Sequence, residues 1–130
     1  MSRGFLLDTH AFLWWMFEAE LLSHHSMDVM SDKSIDVFVS AVTAMEVATK
    51  YRKGHLPNGI HLVGKFDKII ADEGFSPLAI SVAHGERAGS LDSRHKDPWD
   101  RLLAAQAEIE RLSLVTSDPE MKSLGVKTYW

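Results

Sequence analysis

The chain has 130 residues, of which 45% are hydrophobic and 25% charged, and its formal net charge at pH 7 is −4. This length suits one globular domain, which we place over residues 1–130. The chain contains no cysteine, which excludes disulfides, thiol catalysis and cysteine-based zinc sites and is compatible with a reducing cytoplasm, the expected location. No apolar run approaches the roughly 20 residues that a membrane span needs.

Short apolar runs alternate with longer helical patterns along the chain. In order, we expect a strand over 4–7, helices over 11–17 and from 22–23 to about 31, a strand over 36–40, a helix over 41–53, a turn over 56–59, a helix over 60–73, a strand over 76–80, a helix from 81 toward 89, a helix over 98–111, a strand over 113–116, a short helix over 119–123 and an edge strand over 126–130. This alternation predicts an α/β fold of three layers, α/β/α, around a central, mostly parallel sheet of about five strands.

Acidic residues recur where the predicted strands end. Asp8 ends the first strand, Glu46 lies in the first turns after the second, Asp97 and Asp100 open the long helix, and Asp118 follows the strand over 113–116. The carboxyl ends of parallel strands meet at one edge of a sheet, which is where such folds bind ligands. Carboxylates gathered there repel one another unless a cation lies among them, and hard oxygen ligands suit Mg²⁺ or Mn²⁺.

Each of these acids also has a structural explanation, because Asp is a favoured helix N-cap. Asp8 precedes the helix that begins near His10, and Thr43 to Glu46 has the spacing of a capping box. Asp97 and Asp118 each stand before a proline, as a cap does before proline at the first helical position. Capping explains the acids singly, but it does not explain why they recur at one edge of the sheet.

A carboxylate cluster that holds one or two divalent cations has a definite chemistry. The metal lowers the pKa of a bound water and neutralises charge on a phosphate, so the cluster favours hydrolysis of phosphodiesters. The net negative charge of the chain argues against a passive nucleic-acid binder, but not against a nuclease, because the bound cations supply positive charge at the site.

Four segments, in order, resemble the motifs of PIN-domain toxins of the VapC family. They read Leu-Leu-Asp-Thr-His-Ala-Phe-Leu-Trp-Trp (6–15), Ser-Ala-Val-Thr-Ala-Met-Glu-Val-Ala-Thr-Lys-Tyr-Arg-Lys-Gly (40–54), His-Lys-Asp-Pro-Trp-Asp-Arg-Leu-Leu-Ala-Ala-Gln-Ala (95–107) and Leu-Val-Thr-Ser-Asp (114–118). Val-Lys-Thr-Tyr-Trp resembles the usual final strand. The resemblance implies a Mg²⁺-dependent endoribonuclease that acts on RNA, usually as a homodimer, and that a cognate antitoxin holds inactive.

The resemblance also assigns roles to residues of this chain. The catalytic, metal-holding quartet carried over is Asp8, Glu46, Asp100 and Asp118. Asp97 is an extra carboxylate, either a further metal ligand or only the cap, and Trp99 stands where Phe is more common. Thr116 would orient a metal-bound water or Asp118, Arg101 would orient carboxylates, and Thr9 and Ser40 lie near the same edge with weaker claims on the substrate.

Several other residues keep two interpretations. Lys50 either tracks an RNA backbone or pairs with Glu46 at i,i+4. Trp14 and Trp15 are adjacent on a predicted helix and are not expected to face one core together, so we expect one of them at an interface. None of the seven histidines is predicted to be a metal ligand.

Two other classes of protein compete with the nuclease. A receiver-type Mg²⁺-binding signalling domain needs paired acids after the first strand, a central Asp and a late Lys, whereas only Asp8 follows the first strand, Ser40 ends the second and Asp118 stands where Lys would help. A catalytically inert PIN-like binding module has no need of the complete acidic quartet.

Overall fold

Five parallel strands form a central sheet, and helices cover both of its faces. The structure is a computed structural model that describes residues 4–130, so the first three residues of the expected domain lie outside the described part. The strands are β1 (Gly4–Leu7), β2 (Val37–Ser40), β3 (Ser76–Leu78), β4 (Leu112–Val115) and β5 (Thr128–Tyr129). The α-helices are α1 (Thr9–Phe17), α2 (His24–Ser31), α3 (Ala41–Arg52), α4 (Phe66–Asp72), α5 (Val82–Ser90) and α6 (Pro98–Glu110). Segments of 3₁₀ helix cover Ala19–Leu21, Pro57–His61 and Pro119–Leu124.

The strand order is β3-β2-β1-β4-β5, and each pair of neighbours is parallel. The chain builds outward from β1 through β2 to β3 and then returns to the other side of β1. This reversal leaves a crevice at the carboxyl ends of β1 and β4, where doubly wound sheets bind their ligands. The predicted fold class is therefore confirmed. The receiver-type hypothesis is wrong, because receiver domains have the order 2-1-3-4-5.

Side chains on β1 and β4 alternate between two cores. Leu6 and Leu114 pack with residues of α5 and α6 on one face of the sheet. Leu7 and Val115 pack on the other face with residues of α1, α2 and α4. All four side chains have no exposed surface. The period of two along each strand thus places helices on both faces and makes the sheet the middle layer.

Side-chain caps start most of the helices, and several of these caps end the preceding strand. Asp8 accepts a hydrogen bond from the amide of Ala11 in α1, and Ser40 accepts one from the amide of Val42 in α3. Asp97 caps α6, with proline at the first helical position. The predicted caps at Asp8 and Asp97 are therefore present, and they set the direction in which each helix leaves the sheet edge.

The predicted helix over 60–73 is wrong in its first half. The structure has the 3₁₀ segment Pro57–His61, a turn, and then the shorter α4. Gly64 lies in this turn with φ of +86°, a conformation that ends helices and that glycine adopts most easily. The segment over 119–123 is 3₁₀ rather than α-helical, and the edge strand over 126–130 is only Thr128–Tyr129.

Trp14 and Trp15 are both half-buried within the chain. The indole N–H of Trp15 donates to Glu73 Oε1 at 2.9 Å, and its ring packs on Phe75. Trp14 instead meets the ring of Trp130 edge-on at 5.7 Å. The two side chains therefore have different partners on the same layer, and the argument that one of them requires an interface does not hold. Among the described residues, no helix has the length and apolar character of a membrane span.

The two-core arrangement predicts where shortening a side chain lowers the free energy of unfolding. Leu114 lies in β4 with no exposed surface, whereas Leu21 is 47% exposed. We expect Leu114→Ala to lower the free energy of unfolding by about 2–5 kcal/mol, because it removes buried methyl groups and leaves a cavity. The matched change Leu21→Ala is expected to stay within about 0.5 kcal/mol. Urea denaturation measures both, and equal losses would contradict the position assigned to β4.

Candidate active site

A cavity of about 280 Å³ opens at the carboxyl edge of the sheet, beside the ends of β1 and β4. We call it the acid cleft. Its walls carry all five carboxylates singled out in the sequence, together with one more acid, two basic groups, a hydroxyl and a second imidazole: Asp8, Glu46, Asp97, Asp100, Asp118, Glu120, Lys50, His95, Thr9 and His10. Residues far apart in the chain thus meet in one place, as the strand-end argument predicts.

Asp8 is a buried acid of the cleft, with 8% of its surface exposed. Its amide donates to Val115 O at 3.1 Å, which continues the pairing of β1 with β4, and its Oδ1 accepts from the amide of Ala11 at 2.7 Å. Burial raises the pKa of Asp8 above the ordinary value of 3.8, and hydrogen bonds from the Thr116 hydroxyl and the Ala11 amide only partly oppose this. The negative charge of Asp100 raises the pKa further. The end of β1 therefore holds a carboxylate that lacks solvation.

Glu46 and Asp100 are each paired with a basic group from their own segment. Lys50 Nζ donates to Glu46 Oε2 at 2.6 Å, the predicted i,i+4 pair within α3. His95 Nε2 lies 2.8 Å from Asp100 Oδ2, and this bond is the main cause of a raised His95 pKa. The pKa of Asp100 is raised chiefly by burial, which outweighs the bond to His95, and the charges of nearby acids add to the effect.

Asp97 and Asp118 are exposed and cap the segments that follow them. Asp97 Oδ1 accepts from the amides of Trp99 and Asp100 at 2.9 and 3.3 Å. Asp118 Oδ1 accepts from the amide of Glu120 at 2.9 Å. These bonds use only Oδ1 of each carboxylate, so a cap and a contact to a cation through the other oxygen are chemically compatible.

Thr116 joins the acids that follow β1 and β4. Its hydroxyl oxygen accepts from the amide of Asp118 at 3.1 Å, and its hydroxyl is hydrogen-bonded to the Asp8 carboxylate. Thr116 thus contacts Asp118 through the backbone, as a positioning role requires. Thr9 also lines the cleft, where its hydroxyl lies 3.1 Å from that of Thr43.

Ser40 and Arg101 make their described side-chain bonds away from the acids. Ser40 Oγ donates to Gln106 Oε1 at 2.5 Å in the buried layer and does not line the cleft. The guanidinium of Arg101 donates to five backbone carbonyls, at 2.6 to 3.4 Å, and its described bonds reach no carboxylate. Those carbonyls belong to Ala88, Gly89, Leu91, Ser93 and His95. Arg101 therefore fastens the segment between α5 and α6, including the backbone of His95.

Sequence reasoning did not identify His95 or Glu120 as parts of the site. His95 contacts Asp100 and also lies 3.5 Å from Glu120 Oε2. His95 stands in the quoted motif over 95–107, but it precedes α6 in a loop, so no helical spacing relates it to Asp100. The conformation of that loop, which Arg101 fixes, decides the contact.

The chemistry of the acid cleft suits a hard divalent cation. It offers carboxylate oxygens at the switch point of a parallel sheet, and the pKa of Asp100 is raised mainly by burial, with smaller contributions from the charges of Asp97 and Glu46. Within residues 4–130, however, no three His, Asp or Glu side chains stand at the spacing of a formed metal site. Lys50 and His95 take up oxygens of Glu46 and Asp100, so positive charge inside the protein balances part of the cluster.

The strand order and the acid cleft define an α/β domain with an acidic site at its topological switch point. Residues 5–127 match the PIN domain family, and the chain belongs to that family. The predicted family resemblance is thus confirmed at the level of the domain. A comparison of the sequence with curated proteins finds no match.

Solved structures with the same fold come from toxin–antitoxin proteins of several bacteria. A DNA-bound VapBC structure from Salmonella typhimurium has a TM-score of 0.71 and 16% identity, with 99% of this chain and 98% of that chain covered. VapC20 of Mycobacterium tuberculosis, described as a sarcin-ricin loop cleaving toxin, has a TM-score of 0.70 and 12% identity, with 97% and 98% covered. A toxin–antitoxin complex from Klebsiella pneumoniae has a TM-score of 0.58 and 18% identity, with 88% and 87% covered. These likenesses show the shared fold.

Burial of Asp8 predicts how stability depends on pH. Its pKa is raised in the folded state, so the folded protein loses stability as pH rises from near the ordinary value of 3.8 through the native pKa. Asp8→Asn removes this loss while keeping an acceptor for the Ala11 amide. In EDTA, we expect the variant to be more stable than the wild type at neutral pH and the difference to vanish at the acidic end. Urea midpoints across pH measure it.

The matched control is Asp32→Asn. Hydrogen bonds from Ser34 lower the pKa of Asp32, an exposed residue that does not line the acid cleft. A lowered pKa contributes stability above the unfolded value, so this variant is expected to gain nothing at neutral pH. A gain of the same size in both variants would show that Asp8 is not penalised by its burial.

Proposed function

We propose that this chain is a Mg²⁺-dependent endoribonuclease and the toxin of a toxin–antitoxin system, with Mn²⁺ as an alternative ion. The observation that carries the proposal is the convergence of acids from four separate segments on one cleft at the sheet edge. Isolated caps have no reason to converge, and their mutual repulsion is costly without a cation. Membership of the PIN domain family supports the same conclusion.

The residues that would hold the cation are Asp8, Glu46, Asp100 and Asp118, with Asp97 as a further carboxylate. A divalent cation there would activate a water and offset charge on the phosphate. Thr116 holds the two strand-end acids in a common orientation through its bonds to the Asp8 carboxylate and the Asp118 amide. Lys50 is only partly buried, with 36% of its side chain exposed, and places a positive charge beside the acids. If a cation takes the place of Lys50 at Glu46, that charge would be available to an RNA phosphate entering the cleft.

The partners of the chain belong to the same proposal. The neighbours from Klebsiella and Salmonella are a toxin–antitoxin complex and a VapBC complex, and the Mycobacterium neighbour is described as cleaving the sarcin-ricin loop. These descriptions support RNA as the substrate and a cognate antitoxin as the inhibitor of this chain. A homodimer is proposed on the strength of the family resemblance.

One structural observation favours a second candidate, the inert PIN-like binding module. Lys50 and His95 already pair with Glu46 and Asp100, as basic groups do in a site that binds no metal. The complete set of acids favours the nuclease, because a module without chemistry gains nothing from a buried, poorly solvated Asp8. Direct measurements of cleavage and of cation binding separate the two.

Removal of either strand-end acid tests the catalytic assignment. We expect Asp8→Asn and Asp118→Asn each to lower Mg²⁺-dependent RNA cleavage by more than about 100-fold, since even outer partners of metal ligands cost 10- to 100-fold. Circular dichroism is expected to show an unchanged fold. Asp32→Asn, an exposed Asp outside the cleft, is the control and should cleave as the wild type does. Undiminished cleavage by both cleft variants would refute the assignment.

Cation binding is measurable without RNA. A ligand that binds only the folded state stabilises it by about 2.7 kcal/mol at 100 times its dissociation constant. We therefore expect Mn²⁺ or Mg²⁺ to raise the melting temperature of the wild type and of Asp32→Asn, and to leave that of the double variant Asp8→Asn/Asp118→Asn unchanged. A wild type that does not respond to either ion would favour the inert module.

A further inference from the structure

A second cavity, of about 330 Å³, adjoins the acid cleft. Asp118 lines both cavities, so the two lie next to each other at that residue. We call the second one the side cavity; its walls include Thr116, Lys122, Thr128 and Trp130. None of these except Thr116 has a part in the acid cleft, and the proposed chemistry does not account for the side cavity.

Aromatic rings connect the two cavities. His10 lines the acid cleft, and its ring centroid lies 5.9 Å from that of Trp14. Trp14 in turn meets Trp130 edge-on at 5.7 Å. Trp130 is half-buried and lines the side cavity. The contact with Trp14 restrains the indole of Trp130, which provides an aromatic surface beside the acids that needs little further ordering.

The rest of the side cavity is polar. Within residues 4–130, the structure gives no hydrogen-bond partner to the hydroxyls of Ser117 and Thr128, which both line it. Lys122 is exposed and adds a positive charge at the wall. An aromatic ring, available hydroxyls and one cation are the groups by which proteins hold a nucleotide of single-stranded RNA: the ring stacks the base, the hydroxyls reach its edge, and the cation meets a phosphate.

We propose that the side cavity is a nucleotide-binding subsite for single-stranded RNA next to the cleaved bond. Trp130 stacks on a base and Lys122 contacts a neighbouring phosphate, while the adjoining phosphodiester enters the acid cleft past Asp118. The inference rests on the proposed nuclease function and extends it, because it assigns residues outside the acid cleft to the binding of a base and a phosphate. A duplex would keep its bases stacked on one another and leave Trp130 without a base.

The test measures binding of fluorescein-labelled oligoadenylate to Asp8→Asn protein in Mg²⁺, a background chosen to leave the RNA intact. Stacking on an aromatic side chain is worth about 1–3 kcal/mol per base, so we expect Trp130→Leu to weaken binding by roughly 5- to 150-fold. Trp15→Leu is the matched control, because Trp15 is also half-buried but bonds to Glu73 and lines neither cavity. Melting curves check that the two variants are folded to a similar degree.

Two further readouts separate stacking from a general loss of structure. An abasic oligomer of the same length offers no base, so Trp130→Leu should leave its affinity unchanged. Lys122→Ala should lower the slope of log affinity against log salt by about 0.7, the value for one phosphate contact to a single strand. Lys65→Ala, an exposed lysine outside both cavities, should not change it.

Equal oligoadenylate affinity in Trp130→Leu and Trp15→Leu would overturn the subsite, as would a parent protein that does not bind oligoadenylate. Failure of the proposed function has a different signature. If neither the wild type nor Trp130→Leu cleaves RNA in Mg²⁺, the nuclease function itself is rejected. Wild-type cleavage with unaltered binding in Trp130→Leu would reject only the subsite.

Discussion

The parallel pairing of β1 with β4 is the interaction on which the rest of the site depends. Its register sets Leu7 against Val115 and is continued by the bond from the Asp8 amide to Val115 O. The residue after β4 is Thr116. Because Leu7 pairs with Val115, Thr116 stands beside Asp8, and its hydroxyl reaches the Asp8 carboxylate. A slip of one residue would exchange the two faces of the strand, so the side chains of Asp8 and Thr116 would no longer lie on the same face.

Positions that depend only on strand ends and topology were predictable from the sequence. Asp8 and Asp118 follow parallel strands, Asp97 and Asp100 open the helix that leads to β4, and Glu46 lies in the second turn of the helix that follows β2. Ser40 also ends a strand, but its hydroxyl bonds to Gln106 and does not line the cleft. Arg101 is next to Asp100 in sequence, yet successive residues on a helix lie about 100° apart, so its side chain meets the backbone between α5 and α6 instead. The position of His95 depends on that loop, whose conformation cannot be predicted from a repeating pattern of hydrophobic residues.

The capping and catalytic interpretations of the acids are compatible in the structure. Asp8, Asp97 and Asp118 all accept hydrogen bonds from helix amides, and each lines the acid cleft. Amides at a helix start carry partial positive charge, so they stabilise a carboxylate before any cation reaches it. At Asp8 this does not compensate for burial, since its pKa remains raised. Capping therefore orients the acids and leaves at least one of them in need of further positive charge.

The proposed action on RNA requires a source of positive charge, because the chain has a net charge of −4. Arg101, which lies beside an acid in sequence, is occupied by backbone carbonyls, and Lys50 is occupied by Glu46. In the structure, therefore, neither of these two side chains is free to bind a phosphate backbone. A divalent cation among the acids would change this balance, because it would compete with Lys50 for Glu46 and free an ammonium group at the cleft wall. Charge neutralisation and attraction of RNA to the acid cleft would then come from the same ion.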